Sequence, residues 1–382
     1  MAASVHSPRA LPRAPIRFQH PELPPMEGVL RYFRRSEAVG WYSNGGPCAE
    51  ELSARLAARL GGGSRCVLVA NATAGLMAAL RAACGEPGER RLIATPAYTF
   101  TATACAIRWA GFEPLFVDVD PEHWHLDPEA LAVALAAHDV AGVLACSTFG
   151  AAPPPAIRAA WRAIATEHGV PLVVDSAPGF GSVDVHGRPL GGLGDTEVFS
   201  FHATKPFAIG EGGLVVTPDP DLAAAIARLI NFGLQPGTRS SDAIGFNAKL
   251  SELHAATALA MLDRFDAVLA RRRRSAHRLR AALRGTPLTY QHGAGRSTWQ
   301  IFHVLTATPE ERARCLELAA DHGVEVRTMH DPPLHRHPAF AERRRDDLAV
   351  TEQLAARALA LPMANDLSAD AVARIAALVR AL

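Results

Sequence analysis

Two residues in this sequence are placed to do chemistry, a lysine and an aspartate that each follow an apolar run. Lys205 closes Ser200-Phe201-His202-Ala203-Thr204-Lys205 and precedes the apolar and glycine-rich stretch of residues 206–213. An amine in apolar surroundings has its charged form disfavoured, which lowers its pKa and suits it to imine formation. Asp175 ends Pro171-Leu172-Val173-Val174-Asp175, and a carboxylate at the end of so apolar a strand is costly unless it meets a partner. A helix cap, a metal ligand and a partner to a protonated ring nitrogen all fit it. Two more segments follow apolar runs. Asn71-Ala72-Thr73-Ala74-Gly75 is a small-residue turn whose free N–H groups could hold a phosphate, and residues 95–100 put Tyr98 and Phe100 past a strand end, where core packing is the simpler reading.

These four segments must sit on a common scaffold. From Glu51 onward, amphipathic helix patterns alternate with short apolar strands. Residues 66–70, 91–95, 114–120, 140–149, 171–177, 196–201 and 212–218 read as seven strands. Continuous Val/Leu/Ile strands separated by helices predict a mixed, mostly parallel α/β sheet covered on both faces. In such a sheet, ligands lie beyond the carboxyl ends of the strands, where all four segments fall. A lysine that forms an imine, a carboxylate for a pyridinium nitrogen and a phosphate cradle are together what pyridoxal phosphate requires.

Residues 251–284 read as one long helix, with the run Arg271–Arg274 on a solvated face. After Pro287 the texture changes. Residues 289–307 read as strands, and residues 310–323 and 369–382 as helices, together a smaller α+β domain. The division expected is a flexible Pro-rich arm over 1–25, a large α/β domain over 26–270, and a smaller domain over 271–382 that includes the connecting helix. With 382 residues, 49% of them hydrophobic, 20% charged and a formal net charge of +1, the chain has ordinary globular composition and no bulk field for nucleic acid or anionic membrane. It offers no stretch of ~18 uninterrupted apolar residues and no signal-peptide core in its first 25 residues. The six cysteines lie too far apart for CxxC or paired zinc motifs, which suggests buried thiols in a cytoplasmic protein. His123 and His125 form an HxH that would share one face of a strand, and His330, His335 and His337 cluster near prolines, but neither set has a third ligand at recognisable spacing, so no metal is expected.

Residues 200–213, "SFHATKPFAIGEGG", together with "TPAYTFTATACAIRWAGFEPLFVDVD", "GFNAKLSELHAATALAMLDRFD" and "VEVRTMHDPPLHRHPAF", closely resemble the DegT/DnrJ/EryC1/StrS sugar aminotransferases, fold-type I pyridoxal phosphate enzymes. The resemblance runs from residue 41 to residue 363. It implies that Lys205 forms the imine and shuttles the proton, and that Asp175 pairs with the pyridinium nitrogen. It places Phe100 on the ring face, and Thr73, Ala74 and Ser200 at the phosphate. It implies a homodimer with shared sites, in which Asn247 reaches the neighbouring subunit's cofactor. Residues 43–47, with Asn44 and Gly45, and residues 329–337, with His330, are the expected substrate contacts, and His202 and Glu211 are expected near them. The implied reaction moves an amino group from L-glutamate to a ketone, most often a nucleotide-linked keto-sugar.

Two departures stand out. Pro178 occupies the third position after Asp175, where the family usually has Gln or His for the cofactor's phenolic oxygen; Ser176 or a water is the expected substitute. Lys249 replaces the usual arginine, keeping the charge without the bidentate fork. Other readings are a cyclitol or other secondary-metabolite ketone as acceptor, a sugar dehydratase using the same cofactor, and a regulator or scaffold on the same fold. The best-known of these dehydratases replace the lysine with histidine, and intact Lys205 and Asp175 argue against an idle scaffold.

Overall fold

The computed structural model describes residues 14–61, 63–238, 240–341, 343, 345 and 347–382. Two helices come first, α1 (Met26–Val39), closed by Gly40 in the left-handed region, and α2 (Pro47–Leu60), which starts on a proline. The alternation then runs β1 (Arg65–Val69), α3 (Ala72–Cys84), β2 (Leu92–Pro96), α4 (Thr101–Trp109), β3 (Glu113–Val117), α5 (Pro128–Ala137) and β4 (Val140–Cys146). It continues with α6 (Pro155–Glu167), β5 (Leu172–Asp175), β6 (Thr196–Ser200), β7 (Gly213–Thr217) and α7 (Pro220–Leu229). Two more helices, α8 (Glu252–Leu262) and α9 (Phe265–Ala282), lead to a second region. It holds β8 (Phe302–Leu305), α10 (Pro309–Ala319), β9 (Arg327–Thr328), α11 (Ala349–Arg357), β10 (Ala358–Leu361) and α12 (Ala369–Arg380). Local chemistry sets many of these starts: Asp127, Asp219 and Thr308 each cap a helix whose next residue is proline.

The large sheet has the order β1-β7-β6-β5-β4-β2-β3. Strand β7 is antiparallel to both β1 and β6, and the remaining pairs are parallel. Every strand of this sheet except β7 therefore points the same way, and their carboxyl ends share one edge. Alternation along each strand divides the core into two layers. Val143, Ala145, Leu172, Val174, Leu214 and Val216 face a core shared with α2, α6 and α8. Leu144, Val173 and Val215 face the opposite layer, with α3 and α7. A separate core lies under the three-stranded antiparallel sheet β8-β10-β9. Helix α9 enters both, with Phe265, Val268 and Leu269 in the first and Ala276 and Leu279 in the other. The 270/271 boundary thus falls inside one helix.

Four sequence expectations change here. The long helix over 251–284 breaks at Asp263 and Arg264, which are pulled apart: Asp263 accepts from Arg55 (2.8 Å) and Tyr32 (2.8 Å), and Arg264 bonds Glu22 (2.5 Å). The arginine run is not a solvated face, because Arg272 is buried, where its guanidinium finds three acceptors. Of residues 289–307 only β8 is a regular strand, and residues 294–296 form a 3-10 turn. Residues 1–13 of the expected flexible arm lie outside the described residues. From residue 14 on, the segment is pinned. Ile16 pairs with Val324, Phe18 is buried, and Glu22 meets Arg264, Arg271 and Asn365. An apolar ring and an acid among arginines are what a free arm would not keep.

Candidate active site

The carboxyl edge of the large sheet opens into a cavity of about 990 Å³. It is walled by the starts of α3 and α4, the ends of β4 and β5, the turn after β6 and the loop after β9. That volume suits a cofactor together with a substrate. Of the residues singled out by sequence, Thr73, Phe100, Asp175, Pro178, Ser200, His202, Lys205, Glu211 and His330 line it. Ala74 lies in the same first turn of α3.

Helix α3 aims its N-terminus at the cavity. The Asn71 side chain caps the Ala74 N–H (2.9 Å) and the first intrahelical bond runs from Gly75 to Asn71, so the Ala72 and Thr73 N–H groups precede the helical ladder. Gly75 makes this approach possible: a Cβ there would meet Val215, Val69 and Val198 at 3.0–3.2 Å. Donors at a helix start, with the Ser200 hydroxyl nearby, form an anion cradle of the kind a phosphate needs.

Asp175 is held from two sides. Thr103 Oγ1 donates to its Oδ2 (2.8 Å) and the Ala177 N–H to its Oδ1 (3.0 Å). Burial pushes its pKa up, while Thr103, Ala177 and the Lys205 charge pull the other way. Lys205 is affected in the complementary sense. Burial pushes its amine down to about 8, with the nearby Asp175 carboxylate opposing. A buried amine that is partly neutral near neutral pH, with a carboxylate close by, is the pairing that the sequence predicts for pyridoxal phosphate. The residues present fit that group: a cradle for its phosphate, an acid for its ring nitrogen and an amine for its aldehyde.

His202 accepts at Nδ1 from the Thr204 N–H (3.2 Å), which places its proton on Nε2, 3.6 Å from Glu211. His330 stacks on Phe149 (5.1 Å between centroids) and meets Tyr98 edge-on; burial pushes its pKa down to about 4, so it is a neutral donor or acceptor.

Several expected residues are elsewhere. Asn44 and Gly45 are exposed outside the cavity of the single chain. Asn247 is also exposed and accepts from Lys249 (2.8 Å). Ser176 cannot substitute for the Gln or His displaced by Pro178, because its hydroxyl is buried and donates to Glu197 (2.6 Å). The HxH does not share a strand face: His125 is buried beside Trp161, and His123 pairs with Asp120. Exposed Glu122 and His292, far apart in sequence, do come near His123. The sequence reading missed Thr103, in the first turn of α4, whose hydroxyl also lies 3.2 Å from that of Thr99 just before the helix. It also missed Gln300, whose Oε1 accepts from Lys205 Nζ (3.1 Å) with no motif to reveal it. Phe18, Gln19 and Arg327 also line the cavity.

Comparison with known proteins decides the family. The profile of the DegT/DnrJ/EryC1/StrS aminotransferase family matches residues 27–380. The chain belongs to this family. It is 35% identical to Protein Rv3402c of Mycobacterium tuberculosis, over 97% of this chain and 90% of that protein. It is 31% identical to UDP-N-acetyl-3-dehydro-alpha-D-glucosamine 3-aminotransferase of Acidithiobacillus ferrooxidans, over 85% of each. Among solved structures, DesI in the presence of its TDP-sugar product superposes with a TM-score of 0.87 at 35% identity, covering 97% of this chain and 93% of that one. As a DegT/DnrJ/EryC1/StrS aminotransferase, the chain has the α/β fold expected of it, and none of its described helices is long and apolar enough to cross a membrane.

Proposed function

We propose that this DegT/DnrJ/EryC1/StrS protein is a cytoplasmic pyridoxal phosphate aminotransferase of sugar biosynthesis in secondary metabolism. Its amino donor is an amino acid, L-glutamate on the family resemblance, and its acceptor is a nucleotide-linked keto-sugar. The observation that carries this reading is the convergence of Lys205, Asp175 and the α3 N-terminus on one cavity. The sugar part rests on likeness to the 3-aminotransferase and to DesI. Bound pyridoxal phosphate supplies the electron sink for proton removal at the carbon bearing the amine. In this reading, Lys205 holds the cofactor covalently and, when released, moves the proton at that carbon. Asp175, fixed by Thr103 and Ala177, faces the ring nitrogen, and Phe100 lies against the ring. Thr73, Ala74 and Ser200 bind phosphate. His202, Glu211 and His330 contact substrate. Asn44, Gly45 and Asn247 act across the interface of a homodimer with shared sites, which accounts for their exposure in the single chain.

The test is spectroscopic. Pyridoxal phosphate added to the purified protein should give a visible absorbance band that L-glutamate bleaches and a nucleotide-linked keto-sugar restores. Lys205→Ala should fold but lose the band and all turnover. A Lys205→Ala protein that transaminates at the wild-type rate removes the assignment. Restoration by cyclitol ketones but not by keto-sugars would move the acceptor to that class.

A further inference from the structure

The Lys205 amine has a hydrogen-bond partner outside the four segments that carry the family resemblance. Gln300 Oε1 accepts from Lys205 Nζ at 3.1 Å, and Gln300 lines the same cavity. Because an ammonium only donates, the amide oxygen rather than the nitrogen must face it.

This glutamine is held rigidly. Arg272 on α9 donates from Nε to the Trp299 carbonyl and from Nη2 to the Gln300 carbonyl, both at 2.6 Å, and from Nη1 to Asn365 Oδ1 at 3.0 Å. Thr298 Oγ1 donates to the Pro178 carbonyl (2.7 Å), and the Thr298 N–H donates to Ser182 (3.1 Å). Trp299 sits at φ +53°, a backbone region costly for an aromatic residue and kept only where the surroundings over-determine it. Arg272 is itself buried and Asn365 is tied to Glu22, so the loop is fixed from the helix, from the Asp175–Pro178 turn and from the N-terminal segment.

We propose that Gln300 is the positioning residue that docks the Lys205 amine whenever that amine is not bonded to the cofactor, and that Arg272 sets the loop that presents it. The inference rests on Lys205 being the cofactor-binding amine. A neutral carbonyl acceptor favours the ammonium over the amine, so Gln300 counteracts burial and holds the lysine in reach while keeping part of it charged.

The test is the pH dependence of covalent loading. Cofactor-free protein is mixed with pyridoxal phosphate between pH 6 and 10, and the rate of appearance of the visible band is recorded. Loading needs the neutral amine, so the rate rises with pH through the lysine pKa. For Gln300→Leu, the midpoint should fall by about one pH unit, equivalent to about tenfold more neutral amine below it. For Gln300→Glu it should rise, because a carboxylate favours the ammonium more strongly. The extent of loading and the melting temperature should stay near wild type in both. Gln300→Asn, one methylene short of reach, should behave as Gln300→Leu and guards against misfolding of the larger change. Unchanged midpoints in the Leu and Asn proteins would overturn the docking role while leaving Lys205 in place. A wild-type protein that gives no band at all would overturn the lysine assignment, and this inference with it.

Discussion

A buried carboxylate is only as useful as the donors that keep it charged and aimed. Thr103 provides one such donor to Asp175. A hydrogen bond to a charged group contributes about 1.5–3 kcal/mol. Thr103→Val should therefore weaken pyridoxal phosphate binding roughly tenfold or more in a titration of cofactor-free protein, and Thr103→Ser should recover it. Wild-type affinity in the valine protein would show that Asp175 needs no such help. The buried histidines lead to a second expectation. Burial holds His125 near a pKa of about 4 and His303 near about 3, below the usual 6.5. Between those values the unfolded chain binds more protons than the folded one, so stability is complete above pH 6.5 and falls as pH drops toward 4. Each histidine contributes roughly 3 kcal/mol to that loss. Urea midpoints at pH 7, 5.5 and 4.5 should decline steeply, and His303→Phe, which preserves the stack on Phe149, should flatten the decline. At this scale the sequence was most legible where chemistry ends a strand. Lys205 and Asp175 stand out because apolar runs precede them. Thr103 and Gln300 do not, since each acts through a partner 72 or 95 residues away.

The start of α2 shows how an element can depend on one distant side chain. Glu252, at the first position of α8, accepts from the Cys48 N–H (2.7 Å), the Ala49 N–H (3.0 Å) and the Ser36 hydroxyl (2.7 Å). It thus satisfies donors that the N-cap, Gly46, has no side chain to reach. Gly46 is required in turn, because a Cβ there would come within 2.6–3.0 Å of Trp41 and Glu252. Glu252→Ala strands these donors in the core and should cost about 3 kcal/mol by chemical denaturation; Glu252→Gln, which keeps one acceptor oxygen, should cost less. Equal stability of the alanine protein would mean that the α2 start relaxes to solvent. The seven strands of the large sheet were legible because continuous apolar runs leave little else for those residues to do; β9 and β10 of the small sheet were not read from the sequence. The break between α8 and α9 was not, because helical periodicity continues through Asp263 and Arg264 while their tertiary partners pull them apart. Nor was the irregular course of residues 289–301, where Arg272 and Pro178 replace a neighbouring strand as hydrogen-bond partners.

For the whole molecule, the shared-site proposal gives a quantitative test. If Asn247 serves the opposite subunit's cofactor, Lys205→Ala and Asn247→Ala proteins, each inactive or nearly so, should regain activity when refolded together. Random pairing yields one intact site in half of the dimers, or about a quarter of wild-type activity. No recovery would place Asn247 in its own chain's site or in none. Helix α9 bears on the molecule in another way. It is embedded at one end in the core of the large sheet and at the other in that of the small sheet, and Arg272, in its middle, grips the loop beside Lys205. There is no slack tether at this junction for a protease to sever cleanly. A nick in α9 would split a single rod seated in two hydrophobic beds and release the glutamine's mooring at the same time. The two fragments should therefore precipitate or be digested rather than persist as separable lobes.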